Sequence, residues 1–520
     1  MNSNPALRPA AALSPLRWDR RALFFAGVGM GLLAAAIFSG SEVLLALGLA
    51  TSGLAGLMVG LPVLEDFATY YHPLRILAGS TAGAYGLGGA LSWFAAQDPD
   101  VGGFSVVLLH YQISVSDLAI AQVAAVVFSA LLLGIARAPA GNSIERRFAV
   151  ELSGALRGPA VGSMISRVAI GVATLQVSFL FLGIVGYRSI TSSEVVNPAA
   201  LLMVSISPIS PFLTGVLVAR GQVERSEPSR LLLYISLSLV NSLWFFAQGR
   251  VAFLFACAIG IFGFAVVGRI DLRRGFVRNV ILFAPLIVFV FVASQRIRYF
   301  QWVDESQKVN VFQALQLSVA EGAKLAESER SDSSSNNRMN LAMRPLTLNY
   351  PAEMINLRRN GGAGWVGFEE IRNSVLMALP RQIYPDKSGL SLAEGLFSER
   401  LGTSGIDNAE TIFVSAIAGF SYFGLPIFTI LMWGMVKGIT GAMLLARSWL
   451  LWSIGAVTVI SLAMSGGEGP FISWIVNMRS VAVIAPLVII IEAWLRPHDT
   501  GVYATRSMGA KRSPVASRKS

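Results

Sequence analysis

The chain has 520 residues, of which 54% are hydrophobic and only 14% charged, a composition that excludes an ordinary soluble domain and points to life in a bilayer. Its formal charge of +11 does not mark a nucleic-acid partner. The excess Arg and Lys sit in tails and short loops between apolar runs, where membrane orientation accounts for them. The single cysteine, Cys257, lies inside an apolar run, so neither an intrachain disulfide nor cysteine-zinc chemistry is open to the chain.

In chain order, residues 1–21 are a basic cytoplasmic tail. The first apolar run, 22–40, has the flanks of a signal peptide, yet a second run follows almost at once, and it reads as an uncleaved anchor. Runs at 22–40, 43–64, 74–97, 117–136, 167–187, 197–219, 230–248, 251–268 and 277–294 make transmembrane helices 1 to 9, within a domain spanning 22–294. Each crosses about 30 Å of hydrocarbon as helix. Between them, 102–116 reads as an interfacial stretch and 138–165 as a cytoplasmic loop that lies against anionic headgroups. Residues 295–409 then interrupt the pattern with a long hydrophilic insert carrying nearly equal numbers of acidic and basic side chains. Runs at 411–436, 448–466 and 471–494 supply helices 10 to 12 within 410–495, and 496–520 is a second basic tail. The expected fold is an all-α polytopic membrane protein of about 12 spans with one large helical loop between helices 9 and 10.

Positively charged short loops stay in the cytoplasm. Placing the N-terminus inside puts Arg75, Arg137, Arg157, Arg220, Arg269 and Lys437, with most of the other loop arginines, on the cytoplasmic side. The basic C-terminal tail falls there as well, and the insert faces outward. Within the insert, 309–329 has helix-like spacing, 331–337 is a polar hinge, 338–355 is a helix broken at Pro345 and Pro351, and 368–379 is a helix stopped by Pro380. It is too small and polar for a core of its own, so it packs on the membrane domain as a cap.

The insert holds the candidate chemistry. In the segment from Ala378 to Lys387, two prolines hold a rigid path and present Arg381, Asp386 and Lys387 on it. Such cations suit an anionic ligand such as a phosphate; an Arg–Asp ion pair closing a turn explains them equally well. Arg296 and Arg298 leave the membrane at headgroup depth, where snorkelling also accounts for them. Arg479 lies about 12 Å into the last span, facing either a polar cavity or a partner such as Glu468.

The order Arg338-Met-Asn340, Gly361 to Trp365, Leu379-Pro-Arg-Gln-Ile-Tyr-Pro-Asp-Lys387 and Phe420-Ser-Tyr-Phe-Gly-Leu-Pro426 resembles the O-antigen polymerase-like, oligosaccharide repeat-unit polymerase family. The resemblance covers roughly Arg338 to Pro426, and the rest of the chain is similar in topology alone. It implies an O-antigen-ligase-like architecture of the GT-C kind in a bacterial inner membrane. The implied activity is a glycosyltransferase that joins undecaprenyl-pyrophosphate-linked oligosaccharides into O-antigen, capsule or exopolysaccharide, without metal or other cofactor. A flippase and a chain-length regulator of the same pathway are the implied partners.

On that reading Arg381, Lys387, Arg296, Arg298, Arg338 and Arg479 bind the pyrophosphate, and Trp365 and Tyr384 stack on sugars. A carboxylate among Asp386, Glu410 and Glu353 takes the proton of the acceptor hydroxyl. No histidine lies in the insert, which argues against the alternative of a polysaccharide ligase. A lipid-linked oligosaccharide flippase or other transporter is the second alternative; it would be expected to show repeat symmetry and charged residues through many helices.

Overall fold

A computed structural model describes residues 16–495, apart from 139–142, 183–202, 204–205, 225–227, 249, 269, 271–338, 340–341, 344, 362–363, 380–381, 388, 392, 404–409 and 466–468. The described residues are helical and contain no strand. Among the described residues, six helical stretches are long and apolar enough to cross a membrane: Asp19–Ser39, Glu42–Glu65, Val115–Arg137, Val161–Phe181, Ile412–Ala446 and Phe471–Leu495. The protein is a helical membrane protein.

The remaining apolar runs divide. Run 74–97 forms the 23-residue helix Pro73–Ala95. The runs at 197–219, 230–248, 251–268 and 448–466 correspond to shorter apolar helices, Ile209–Gly221, Arg230–Phe246, Ala252–Val267 and Trp449–Met464. The run 277–294 lies outside the described residues, as do 309–329 and 331–337 of the insert.

Leu16–Ser39, Glu42–Gly60, Pro73–Ala95 and Val115–Arg137 pack as one group. Lipid tails are as apolar as Leu, so helices in a bilayer gain by close approach of small residues. At the tightest crossing within this group, a Cβ on Gly56 would lie 2.5 Å from the backbone nitrogen of Gly83. A second group joins Pro159–Phe181, Ile209–Glu224, Pro228–Gln248 and Arg250–Val267.

The ends of this bundle differ in their charges. At one end Asp19 is held by Arg75 at 2.7 Å and Arg137 at 2.5 Å. There also Arg157 donates to the Val267 carbonyl, Arg220 to those of Leu156 and Gly158, and Lys437 lies 3.9 Å from Glu145. Residues expected in separate cytoplasmic loops thus converge. The stretch 138–165 is more ordered than a loop on headgroups: Ser143–Arg157 is a helix that buries Phe148, Ala149, Leu152 and Leu156 in the bundle. Their helical spacing gives it an apolar stripe, and the next helix starts at Pro159. The 102–116 stretch contains the helix Phe104–His110, whose Phe104, Val107 and Leu108 are buried.

At the other end lie the insert's helices Asn349–Arg359, Glu369–Ala378 and Ala393–Leu401. Pro351 does not break a helix; it sits in the first turn of Asn349–Arg359, where no intrahelical N–H bond is lost. The run 411–436 is not one unbroken helix. It is a nine-residue helix, Ile412–Phe420, a 3-10 turn over Ser421–Phe423, and a 23-residue helix, Gly424–Ala446. Ser421 has φ +55°, a region that non-glycine residues occupy only where the surroundings impose it. The two helices touch so closely that a Cβ on Gly424 would lie 1.8 Å from the Ala416 carbonyl oxygen.

Candidate functional site

The site is organised around Ile412–Phe420. This helix is apolar on every side, and every residue from Ile412 to Gly419 is buried, as a helix without a polar face must be. Thr411 caps it, accepting from Val414 N at 3.0 Å, and shares a 2.5 Å hydroxyl–hydroxyl bond with Tyr85. The Phe413 ring packs on Tyr85 and Phe128.

The insert grips this helix along its length. Arg358 donates to the carbonyls of Ile417 and Ala418, both at 2.7 Å. Both carbonyls lie in the last turn, at the negative end of the helix dipole, and Ile417 O also accepts from Ser421 N, so a guanidinium suits them. The same guanidinium lies 5.2 Å from the Trp365 ring centroid. Gly367 N donates to Gly419 O at 3.0 Å. Next door Arg359 reaches Asp117 at 3.0 Å, and Asn356 donates to the Gln112 carbonyl at 2.8 Å. These contacts seat Asn349–Arg359 over the start of Val115–Arg137.

Glu369–Ala378 is fastened at both ends. At its start Glu369 pairs with Arg400 at 3.0 Å, and Ser415 Oγ donates to Glu370 Oε1 at 2.6 Å. At its end Lys387 Nζ donates to the Met377 carbonyl at 2.6 Å and to that of Leu379, and Arg479 donates to the Ala378 carbonyl at 2.8 Å. Two cations thus occupy the negative end of this helix as well.

Glu370 is 2% exposed. Burial pushes its carboxyl up to about 7; the Ser415 bond opposes the rise and Glu410 adds to it. Its Oε2 is buried and accepts no hydrogen bond among the described residues. Burial also lowers the Arg358 pKa, while Tyr422 works in the opposite sense. Arg358, Lys387 and Arg479 have carbonyl oxygens as partners and no carboxylate within ion-pair distance among the described residues.

Of the residues singled out from sequence, Lys387 and Arg479 meet on one helix end. Trp365 is 62% exposed and stacked on Arg358. Asp386 is exposed, Tyr384 and Glu353 are intermediate, and Glu410 is half-buried just ahead of Thr411. Arg381, Arg296, Arg298 and Arg338, and the alternative Arg479 partner Glu468, lie outside the described residues. The sequence reading passed over Glu370, Arg358 and Ser415. A signal for Glu370 exists in the spacing Glu370, Asn373, Ser374, Ala378, which is the buried face of its helix, but the face is polar and soluble-protein logic turns it outward. No family model, curated protein or solved structure matches the chain.

Proposed function

We propose that this protein is a glycosyltransferase that polymerises undecaprenyl-pyrophosphate-linked oligosaccharide repeat units into surface polysaccharide at the outer face of a bacterial cytoplasmic membrane. On this reading the chain crosses the membrane about twelve times, both termini are cytoplasmic, and the insert is an outward cap. The observation that carries it is the set of cations Arg358, Lys387 and Arg479, held by backbone carbonyls and, among the described residues, left without acidic partners where the cap meets the apolar bundle.

Glycosyl transfer from a lipid pyrophosphate needs this arrangement. The acceptor hydroxyl oxygen bonds to the anomeric carbon while the bond to the pyrophosphate oxygen breaks, and negative charge gathers on the leaving group. Positive charge fixed in place by backbone carbonyls stabilises that charge more than mobile side chains in water would. Arg381, Arg296, Arg298 and Arg338 are further pyrophosphate ligands, and the exposed ring of Trp365 offers a stacking face for a sugar.

Deleting the gene tests the reading. The expected result is loss of long surface polymer and accumulation of single lipid-linked repeats. Long polymer made normally, or long polymer made but left on its lipid carrier as a missing ligase would leave it, overturns it.

A further inference from the structure

Resting on the polymerase reading, we infer that Glu370 is the group that takes the proton from the attacking hydroxyl, in place of Asp386, Glu353 or Glu410. In the step, the hydroxyl oxygen bonds to the anomeric carbon, the pyrophosphate leaves with the electron pair of its carbon–oxygen bond, and the hydroxyl proton passes to Glu370 Oε2.

Two observations support this assignment. The first is that Glu370 is placed at a structural cost. An acid in the first turn of a helix ordinarily sits in water and complements the dipole, as Glu369 does beside Arg400. Glu370 is closed off, without a cationic partner among the described residues, and held by one neutral hydroxyl. The second is that one carboxyl oxygen is already oriented by Ser415 while Oε2 lacks any donor among the described residues. A buried acceptor left without a partner costs roughly 1–3 kcal/mol, and an arriving hydroxyl supplies the missing donor. The closed carboxyl is reached by parting the first turn of Glu369–Ala378 from Ile412–Phe420. That joint includes the Ser415 bond, the Gly367–Gly419 backbone bond and the edge-on contact of the Phe368 and Phe420 rings.

The surroundings suit a base that works near neutrality. The charged groups around it are Glu410 ahead of Ile412–Phe420, Glu369 and Arg372 on its own helix, Arg400 on Ala393–Leu401, and Arg479 on the last helix. Of these, Arg400 is bonded to Glu369 and Arg479 to the far end of Glu370's helix. None of them forms an ion pair with Glu370 among the described residues. Burial and Glu410 raise its proton affinity, so the carboxyl is basic enough to accept a proton.

The test uses the full-length protein in liposomes and the single lipid-linked repeats extracted from the deletion strain. Wild type is expected to build polymer, with a rate that rises with pH and levels off above an inflection near neutrality. Glu370→Gln, isosteric and still able to accept from Ser415, is expected to lose at least 100-fold in rate. Its binding of the lipid-linked repeat should stay within about threefold. Ser415→Ala, which removes the bond that opposes the raised affinity, is expected to move the inflection to higher pH, a readout that a purely structural role would not shift. Wild-type rates in Glu370→Gln, or an unchanged inflection in Ser415→Ala, overturn the assignment while leaving the polymerase reading intact. A wild-type protein that builds nothing from those repeats overturns the reading and the assignment together.

Discussion

Replacing Gly424 with Ala should destabilise the protein, whereas the same change at Gly438, on the same helix, should not. The added Cβ at Gly424 would lie 1.8 Å from the Ala416 carbonyl oxygen and 2.6 Å from its carbonyl carbon. Ordinary contact needs a separation of about 3.2 Å, so the two helices must part by roughly 1.4 Å. The obstructing atoms are backbone and have no rotamer to escape into, which sets the overpacking cost near the upper part of about 1–3 kcal/mol. Ala gains about 0.5–1 kcal/mol over Gly in a helix, leaving a net loss of roughly 1–2 kcal/mol. At Gly438 nothing lies within 4 Å, so only the gain applies there. The displaced helix also carries Ser415 and the carbonyls that hold Arg358, so the docking of Asn349–Arg359 and Glu369–Ala378 should loosen with it. Thermal unfolding of the purified variants in one detergent reads the difference. Equal midpoints for the two variants would refute the close crossing of Ile412–Phe420 and Gly424–Ala446.

Three further outcomes are expected. The Glu370 carboxyl stands at about 7 against an ordinary value of 4.5, so the folded state binds its proton more tightly. Stability from this group is full below about 4.5, falls as pH rises, and is lost above about 7, an upper bound of about 3 kcal/mol; Glu370→Gln should flatten that slope, and parallel wild-type and variant curves of unfolding midpoint against pH would count against it. Arg358→Ala removes two charge-assisted bonds to Ile417 and Ala418 and should cost about 2–3 kcal/mol. Arg358→Lys should restore only part of this, because a point ammonium does not reproduce the planar fork; protease cleavage between 359 and 369 is the readout. Arg75→Ala leaves the buried Asp19 with Arg137 alone and should cost about 3 kcal/mol, with Asp19→Asn on the same background recovering much of it. Thermal unfolding of the single and double variants decides this, and an additive pair would speak against a shared buried cluster.

Legibility in the sequence tracked the periodicity of apolar residues. Runs at 43–64, 74–97, 117–136 and 471–494 match the helices Glu42–Gly60, Pro73–Ala95, Val115–Arg137 and Phe471–Leu495 to within a few residues, because an uninterrupted apolar run in lipid has little choice but helix. The insert's 368–379 segment likewise matches Glu369–Ala378. The run 411–436 misled because its residues are apolar throughout; what breaks it is a turn at Ser421 and a glycine contact with a helix eight residues earlier, and neither changes hydropathy. Glu370 was hidden for the opposite reason. Its helix turns Glu370, Asn373 and Ser374 inward and leaves Val375 45% exposed, the reverse of the soluble pattern.

By itself, then, the amino-acid sequence determined that this is a helical membrane protein with a long polar insert, since hydropathy summed over a span is large compared with any single contact. Which side chains of that insert meet was decided only by tertiary structure. Arg358 finds the carbonyls of Ile417 and Ala418 some sixty residues away, Lys387 and Arg479 converge on one helix end, and Ser415 singles out Glu370 instead of its neighbour Glu369. Each of these depends on distance and burial, on which the strength of charge and hydrogen bonding turns, and neither quantity is written in the order of residues along the chain.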